Sequence, residues 1–282
     1  MDDNFTTSTK SRTSCRVLNK SKMKNIFLKL VLVCSILFSC SSETEQMIDN
    51  QIDNLANVSL NRRATGSSAN DLLSADTFQK MIVEVTYIEG FEPSETAKNN
   101  FKNLIESRTF KPGGVQFIEK QILPTGKTVY TLEDVVAIEE EYRTQYNTST
   151  TIAVWVFFIN GKSSRDASSN SILGYAYWNT SFAIFEETIH GLSNSALEPE
   201  RSLLESSVIH HEFGHILGLT NLGSDLQSDH EDAEHLKHCN EEDCLMYWAA
   251  ETSQGVGSML SGGQIPALDA QCLADLKANG GR

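Results

Sequence analysis

Basic residues are scarce in this chain: 23 Lys and Arg stand against 37 Asp and Glu, a formal net charge of −14. The imbalance excludes nucleic acid and anionic membrane surfaces as partners, because both attract clustered positive charge. Proline is sparse too, at five residues. No internal repeat and no long Pro/Gly linker divides the body of the chain into separate domains. No apolar run is long enough to cross a membrane. Cys-x-x-Cys is missing, and no cysteine has surroundings that would activate a thiolate, which argues against thiol catalysis. Histidine is absent from the first 189 residues, and all seven histidines fall between His190 and His238.

The longest apolar run, residues 26–38, follows Lys20, Lys22 and Lys24 and ends Leu37-Phe38-Ser39-Cys40-Ser41-Ser42. A basic start, a short apolar core and a small residue at the end make a secretory signal. The ending resembles a bacterial lipobox, with Cys40 as the lipidated first residue; the plainer alternative is a signal peptide cut near Ser39. Residues 1–40 are therefore expected to be a lipoprotein signal peptide, residues 41–71 a flexible Ser-, Asn-, Asp- and Glu-rich tether, and residues 72–282 one catalytic domain. The expected location is the cell envelope, periplasmic or surface-exposed, with a monomer touching the membrane only through its lipid. Loss of residues 1–40 leaves 16 basic against 35 acidic residues, a net charge of −19.

The histidine-rich stretch opens with Val208-Ile209-His210-His211-Glu212-Phe213-Gly214-His215-Ile216-Leu217-Gly218. Its apolar spacing is that of a helix buried in a core, with Pro199 near the start and Gly218 past the end. Residues four apart share a helix face, so His211 and His215 can offer two imidazoles to one metal ion. Glu212 follows the first of them, where its carboxylate can act as general base on an attacking water. His210 lies about 100° around the helix from His211 and faces elsewhere. A hydrolytic zinc site usually takes three protein ligands and leaves the fourth position to water. The third candidates downstream are His238, His230 as second choice, then His235 and the acidic residues. A Glu ligand, from Glu234, Glu241 or Glu242, would give the gluzincin scheme instead.

Gly218-Leu219-Thr220-Asn221 resembles the metzincin pattern His-Glu-x-x-His-x-x-Gly-x-x-His, with Asn221 where the pattern has its third His. His238-Cys239-Asn240-Glu241-Glu242-Asp243-Cys244-Leu245-Met246-Tyr247-Trp248 is similar to the archaemetzincin arrangement, in which the third ligand His is followed at once by Cys and then by Cys-x-Met. The resemblance implies His238 as third ligand, Met246 as the Met-turn residue packed beneath the metal, and a zinc peptidase acting on peptides or proteins. Archaemetzincins hold a second zinc through a Cys-x-x-Cys pair; without it, one zinc is expected here. In an exported chain, Cys239 and Cys244 are expected to pair as a disulfide, leaving Cys272 free and buried on a C-terminal helix. Tyr247 is a candidate oxyanion donor. Asp225, Asp229, Glu231 and Asp232 form an acidic cluster read as a solvated loop, with calcium as the alternative.

The expected architecture is α/β, grading into α+β. Strands are expected at 81–87, 114–118, 151–159, 172–178 and 181–185, and helices at 95–107 and 132–146. Residues 151–159 are apolar on both faces and belong at the centre of a sheet. The resemblance adds a twisted, mainly parallel sheet with an antiparallel edge strand, an active-site helix, a Met-turn and a C-terminal helix. It also makes the strand before that helix the edge on which an extended substrate lies, with Gly174, Tyr175, Tyr177 and Trp178 along the cleft. Two rival readings use the same residues: an inactive peptide- or protein-binding lipoprotein on this fold, and a zinc-scavenging lipoprotein built on residues 229–238.

Overall fold

The computed structural model describes residues 57–195, 198–260 and 262–282. The leader and Cys40 lie outside them. Helix α1 (Ala69–Leu73) is followed by strand β1 (Lys80–Ile88), helix α2 (Glu95–Arg108), β2 (Val115–Ile122), the short β3 (Val129–Tyr130) and α3 (Leu132–Tyr142). Then come β4 (Thr151–Phe158), the short β5 (Lys162–Ser163), β6 (Gly174–Trp178), β7 (Ser181–Ile184), α4 (Glu186–Gly191) and α5 (Arg201–Ile216). A 3-10 helix (Trp248–Glu251) and α6 (Ala270–Ala278) complete the elements that bear on the site.

The main sheet has the order β2-β1-β4-β7-β6. All neighbours run parallel except β6, which is antiparallel to β7 and forms the edge. The expected α/β class, mainly parallel sheet and antiparallel edge strand are thus present. β4 sits in the centre, as its two-sided apolar sequence requires. Its residues alternate between two cores, as the period of two in a strand dictates. Ile152, Val154, Val156 and Phe158 pack with α2 and α5, where Phe101 meets Phe182 and Phe213 edge to face. Trp155, Phe157 and Ile159 pack with Val135 and Ile138 of α3 on the other face.

Helix starts follow capping chemistry. Ser94 accepts from the Ala97 amide at the head of α2, and Thr131 with Asp134 forms a capping box on α3. α3 ends at Tyr142, four residues short of the expected boundary. Arg143 turns to extended backbone, and its buried guanidinium donates to Glu139 Oε1 (2.6 Å), Ser181 Oγ (3.0 Å) and the Ala153 carbonyl (2.8 Å).

The segment expected to be a tether is folded from residue 57 onward. Asn61 is fully buried and donates to Asn147 Oδ1 (2.9 Å), the Ala153 carbonyl (3.0 Å) and Thr180 Oγ1 (3.0 Å). Leu72 and Leu73 of α1 join the core. Polar composition misled here, because a buried asparagine network and a solvated linker draw on the same residue types.

Candidate metal centre

α5 passes beneath β6 and β7, and residues 204–216 of this helix are all buried. Gly174 shows how closely β6 approaches it: a Cβ there would lie 2.9 Å from Glu212 Cγ and 2.9 Å from Val208 Cγ1. Only glycine lets the edge strand cross over the Glu212 side chain. At the end of α5 the chain turns back through Gly218 at φ +88°, a conformation that favours glycine. A Cβ at Gly218 would also meet the Ser224 amide nitrogen at 2.5 Å.

Asn221 faces away from the site and donates to Glu231 Oε2 (2.8 Å). The insertion that follows is pinched at its neck, where the Thr220 amide reaches the Lys237 carbonyl (3.3 Å). That closure delivers His238 to the side of α5. His211, His215, His238 and Glu251 form one group whose ligand atoms all lie within 4.8 Å of one another.

The protonation pattern of this group decides its chemistry. His211 Nδ1 faces the Leu245 carbonyl (2.8 Å), His215 Nδ1 the Leu219 carbonyl (3.1 Å) and His238 Nδ1 the His235 carbonyl (3.3 Å). A carbonyl only accepts, so each ring donates from Nδ1, and in the neutral ring Nε2 carries the lone pair. Those lone pairs converge. His211 Nε2 and His215 Nε2 are 3.1 Å apart, and His238 Nε2 is buried 3.6 Å from Glu251 Oε1. Zinc–nitrogen bonds of about 2.0–2.1 Å put tetrahedral ligands about 3.3 Å apart, so the first spacing suits a shared ion. Burial and the neighbouring imidazoles push His211 down to about 3 and His215 down to about 4, so both are neutral at ordinary pH.

Glu212 is fully buried and lines the same cavity as His215, His238 and Glu251, with the Ala176 backbone beside its carboxylate. Burial raises its pKa well above the usual carboxylate range, with the charge of Glu251 adding to the effect. A cavity of about 270 Å³ runs beside it, lined in part by Tyr175, Ala176, Glu212, His215, His238 and Glu251. Tyr175 is mostly buried, with an unpartnered hydroxyl that burial holds above the usual phenol range. Tyr247 instead borders a separate cavity with Trp248 and Gln254, so the structure does not bring the expected oxyanion donor to the histidines. Met246 packs its Sδ against Gly214 of α5.

His230 is not part of this group. Its Nδ1 lies 3.4 Å from Cys239 Sγ and 4.0 Å from Cys272 Sγ, and Nε2 is held by Asp275 Oδ2 (2.8 Å). Cys244 Sγ is 3.7 Å from Cys272 Sγ, and Cys239 Sγ reaches Asp269 Oδ2 (3.2 Å). The expected Cys239–Cys244 disulfide is not formed; all three thiols are free and buried. The reason is α6, which carries Cys272 into the loop and turns two cysteines into a three-thiol cluster. Contacts with Cys239 and Cys272 hold the Cys244 thiol well below its usual range.

The other candidates fall outside the histidine group. His235 stacks on Trp248 at 4.4 Å, and His210 is buried apart from it. Glu234, Glu241 and Glu242 are exposed and supply no ligand to it. Glu231 and Asp232 of the acidic cluster are engaged with Asn221, Lys237, Glu234 and His235. Glu251 was missed in the sequence reading: no motif marks it, and it arrives through the fold of the 3-10 helix.

No family model matches the chain, and no curated protein resembles it in sequence. Among solved structures it is similar to archaemetzincin from Methanopyrus kandleri, with 14% sequence identity and a TM-score of 0.47, over 71% of this chain and 96% of that one. The likeness is distant, and the site stands on its own geometry.

Proposed function

We propose that this chain is a zinc-dependent endopeptidase. The observation that carries the reading is the set of three histidines, each donating Nδ1–H to a backbone carbonyl and each turning a bare Nε2 toward one centre. Fixing the outer nitrogen in this way orients the ligand and raises its basicity. Buried lone pairs brought this close are stabilised by a cation. Three imidazoles suit zinc.

When bound, zinc would polarise a scissile carbonyl and make water a stronger acid. Glu212 takes the proton of the attacking water and passes it to the leaving amine. β6 offers unpaired backbone groups along the sheet edge, so an extended peptide can add as a further strand above Glu212. Such pairing uses main-chain hydrogen bonds, which fits a peptide substrate over a small molecule. The carboxyl-rich surface and the sequence of residues 1–40 extend the proposal to a monomeric enzyme acting outside the cytoplasm from a lipid anchor on Cys40.

A second zinc completes the reading. Zinc–sulfur bonds of about 2.3 Å place tetrahedral thiolates about 3.8 Å apart, which the 3.7 Å separation of Cys244 and Cys272 matches. Cys239, Cys244, Cys272 and His230 would fill all four positions, with Asp275 orienting the imidazole. A closed site of this kind holds structure together and does no chemistry.

The test is digestion of a mixed peptide library by the zinc-loaded chain, followed by mass spectrometry, with and without a chelator. Cleavage that stops on chelation and returns with zinc supports the reading. Cleavage indifferent to the chelator, or none at all, contradicts it.

A further inference from the structure

Glu251 ends the 3-10 helix and brings its carboxylate to the open side of the three imidazoles. Glu251 Oε1 lies 3.6 Å from His238 Nε2, and Oε2 lies 3.9 Å from His211 Nε2 and 4.0 Å from His215 Nε2. These three rings are the ion-pair partners of Glu251. The carbonyl contacts of their Nδ1 atoms leave the three Nε2 atoms facing the carboxylate. A mostly buried carboxylate and three imidazoles turned toward one point form a donor set that suits a shared cation.

The distances also bear on how the carboxylate would meet that cation. A carboxylate bound directly at the fourth tetrahedral position would sit about 3.3 Å from each ligating nitrogen; one hydrogen-bonded to an intervening water would sit about 5 Å away. The observed 3.6–4.0 Å lies nearer the direct arrangement. Resting on the zinc reading above, we propose that Glu251 is a fourth protein ligand, occupying the position that a hydrolytic zinc leaves to water. The folded enzyme is then latent until Glu251 withdraws.

The backbone around Glu251 supplies a route for withdrawal. Its carbonyl accepts from the Leu173 amide (2.9 Å), Thr252 bridges to Ile172, and the Ser253 amide donates to the Ser171 carbonyl (2.9 Å). Residues 171–173 lead directly into β6, the edge on which a peptide would lie. A substrate strand that shifts this lead-in also shifts Glu251, so occupancy of the edge and opening of the metal are linked. A free zinc centre would be capped, and a substrate-bound one exposed to water.

The experiment uses the full chain and its Glu251→Ala and Glu251→Gln variants. Zinc affinity is measured by chelator competition, and cobalt-loaded protein is titrated with azide. Azide perturbs the visible spectrum only where a coordination position is open, so the closed thiolate cluster is silent. The expected result is a zinc affinity at the histidine site weakened 10–100-fold in both variants, with azide shifting the spectrum of the variants and not of the wild type. Peptide cleavage by Glu251→Ala at saturating zinc should then exceed wild type several-fold. Equal zinc affinities together with equal azide responses would overturn the proposal, whatever the activity. If the metal readouts separate as expected and neither protein cuts peptides, the ligand assignment stands and the peptidase reading fails.

Discussion

Gly214 and Met246 share one space. A Cβ at Gly214 would lie 2.4 Å from Met246 Sδ and 3.2 Å from Cε. Gly214, the residue before His215, is thus a glycine because Met246 packs into the helix at that point. Gly214→Ala is expected to lose about 1–3 kcal/mol through overpacking and to weaken metal binding by tilting the helix face. Urea denaturation checks the first and chelator competition the second. Gly257→Ala, where nothing lies within 4 Å of the added Cβ, is the control that should leave both unchanged. Equal stabilities for the two variants would refute the packing relation.

The thiol cluster makes a stoichiometric prediction. The described fold brings His230, Cys239, Asp269 and Cys272 into one group, with Cys244 3.7 Å from Cys272, away from the histidine triad. Purified wild type should carry two zinc ions per chain, and His230→Ala about one, with a lower melting temperature. Elemental analysis against protein concentration reads this directly. One zinc in both proteins, with Cys239 and Cys244 found as a disulfide by peptide mapping, would restore the simpler expectation from the sequence.

Asn61 predicts where the folded domain begins. Its amide ties residues 57–71 to Asn147, to Ala153 of β4 and to Thr180 through three buried hydrogen bonds. Asn61→Ala leaves buried acceptors unpaired and should destabilise the chain by about 1–3 kcal/mol. A fragment starting at residue 57 should melt cooperatively like the full chain, and one starting at residue 72 well below it. Identical melting curves for both fragments would return residues 57–71 to the status of a tether.

Glu186 gives the pH dependence. It is fully buried at the start of α4, and burial followed by the charge of Glu205 raises its pKa well above 4.5. Around it lie Glu205, His190 (3.0 Å from Glu186 Oε1), Arg201 and Glu92. An acid whose folded pKa exceeds its unfolded value binds more protons when folded, so its contribution is full below about pH 4.5 and lost as pH rises toward the folded value. Between about pH 5 and pH 8 the wild type should therefore lose stability relative to Glu186→Gln, which has no carboxyl to ionise. Melting temperatures across that range measure the gap. A gap that narrows toward high pH would contradict the assignment.

How much of this could be read beforehand depended on sequence separation. The pairing of His211 with His215, and Glu212 beside it, is a property of one helix, so local spacing was enough. β4 declared its central place by being apolar on both faces, whereas the edge strand was an expectation drawn from the family resemblance alone. His238 was legible only through the Cys and Met beside it, because the Thr220–Lys237 closure that positions it spans an insertion with no periodicity. His230, Cys272 and Asp275 meet across more than 40 residues, and no spacing rule anticipates that cluster. Glu251 belongs to the same class: five residues past Met246, it reaches the histidines only because a 3-10 turn folds it back.

The central claim is that Glu212 is the base of a zinc peptidase, and the most direct test is a comparison of wild type with Glu212→Gln. Both are loaded with zinc, their metal content is verified, and both are given the same peptide library. The account predicts that Glu212→Gln keeps its zinc and its fold, and cuts the peptides preferred by the wild type at least 100-fold more slowly, as expected for loss of a general base. Cleavage by Glu212→Gln at the wild-type rate, with zinc bound in both, would contradict it.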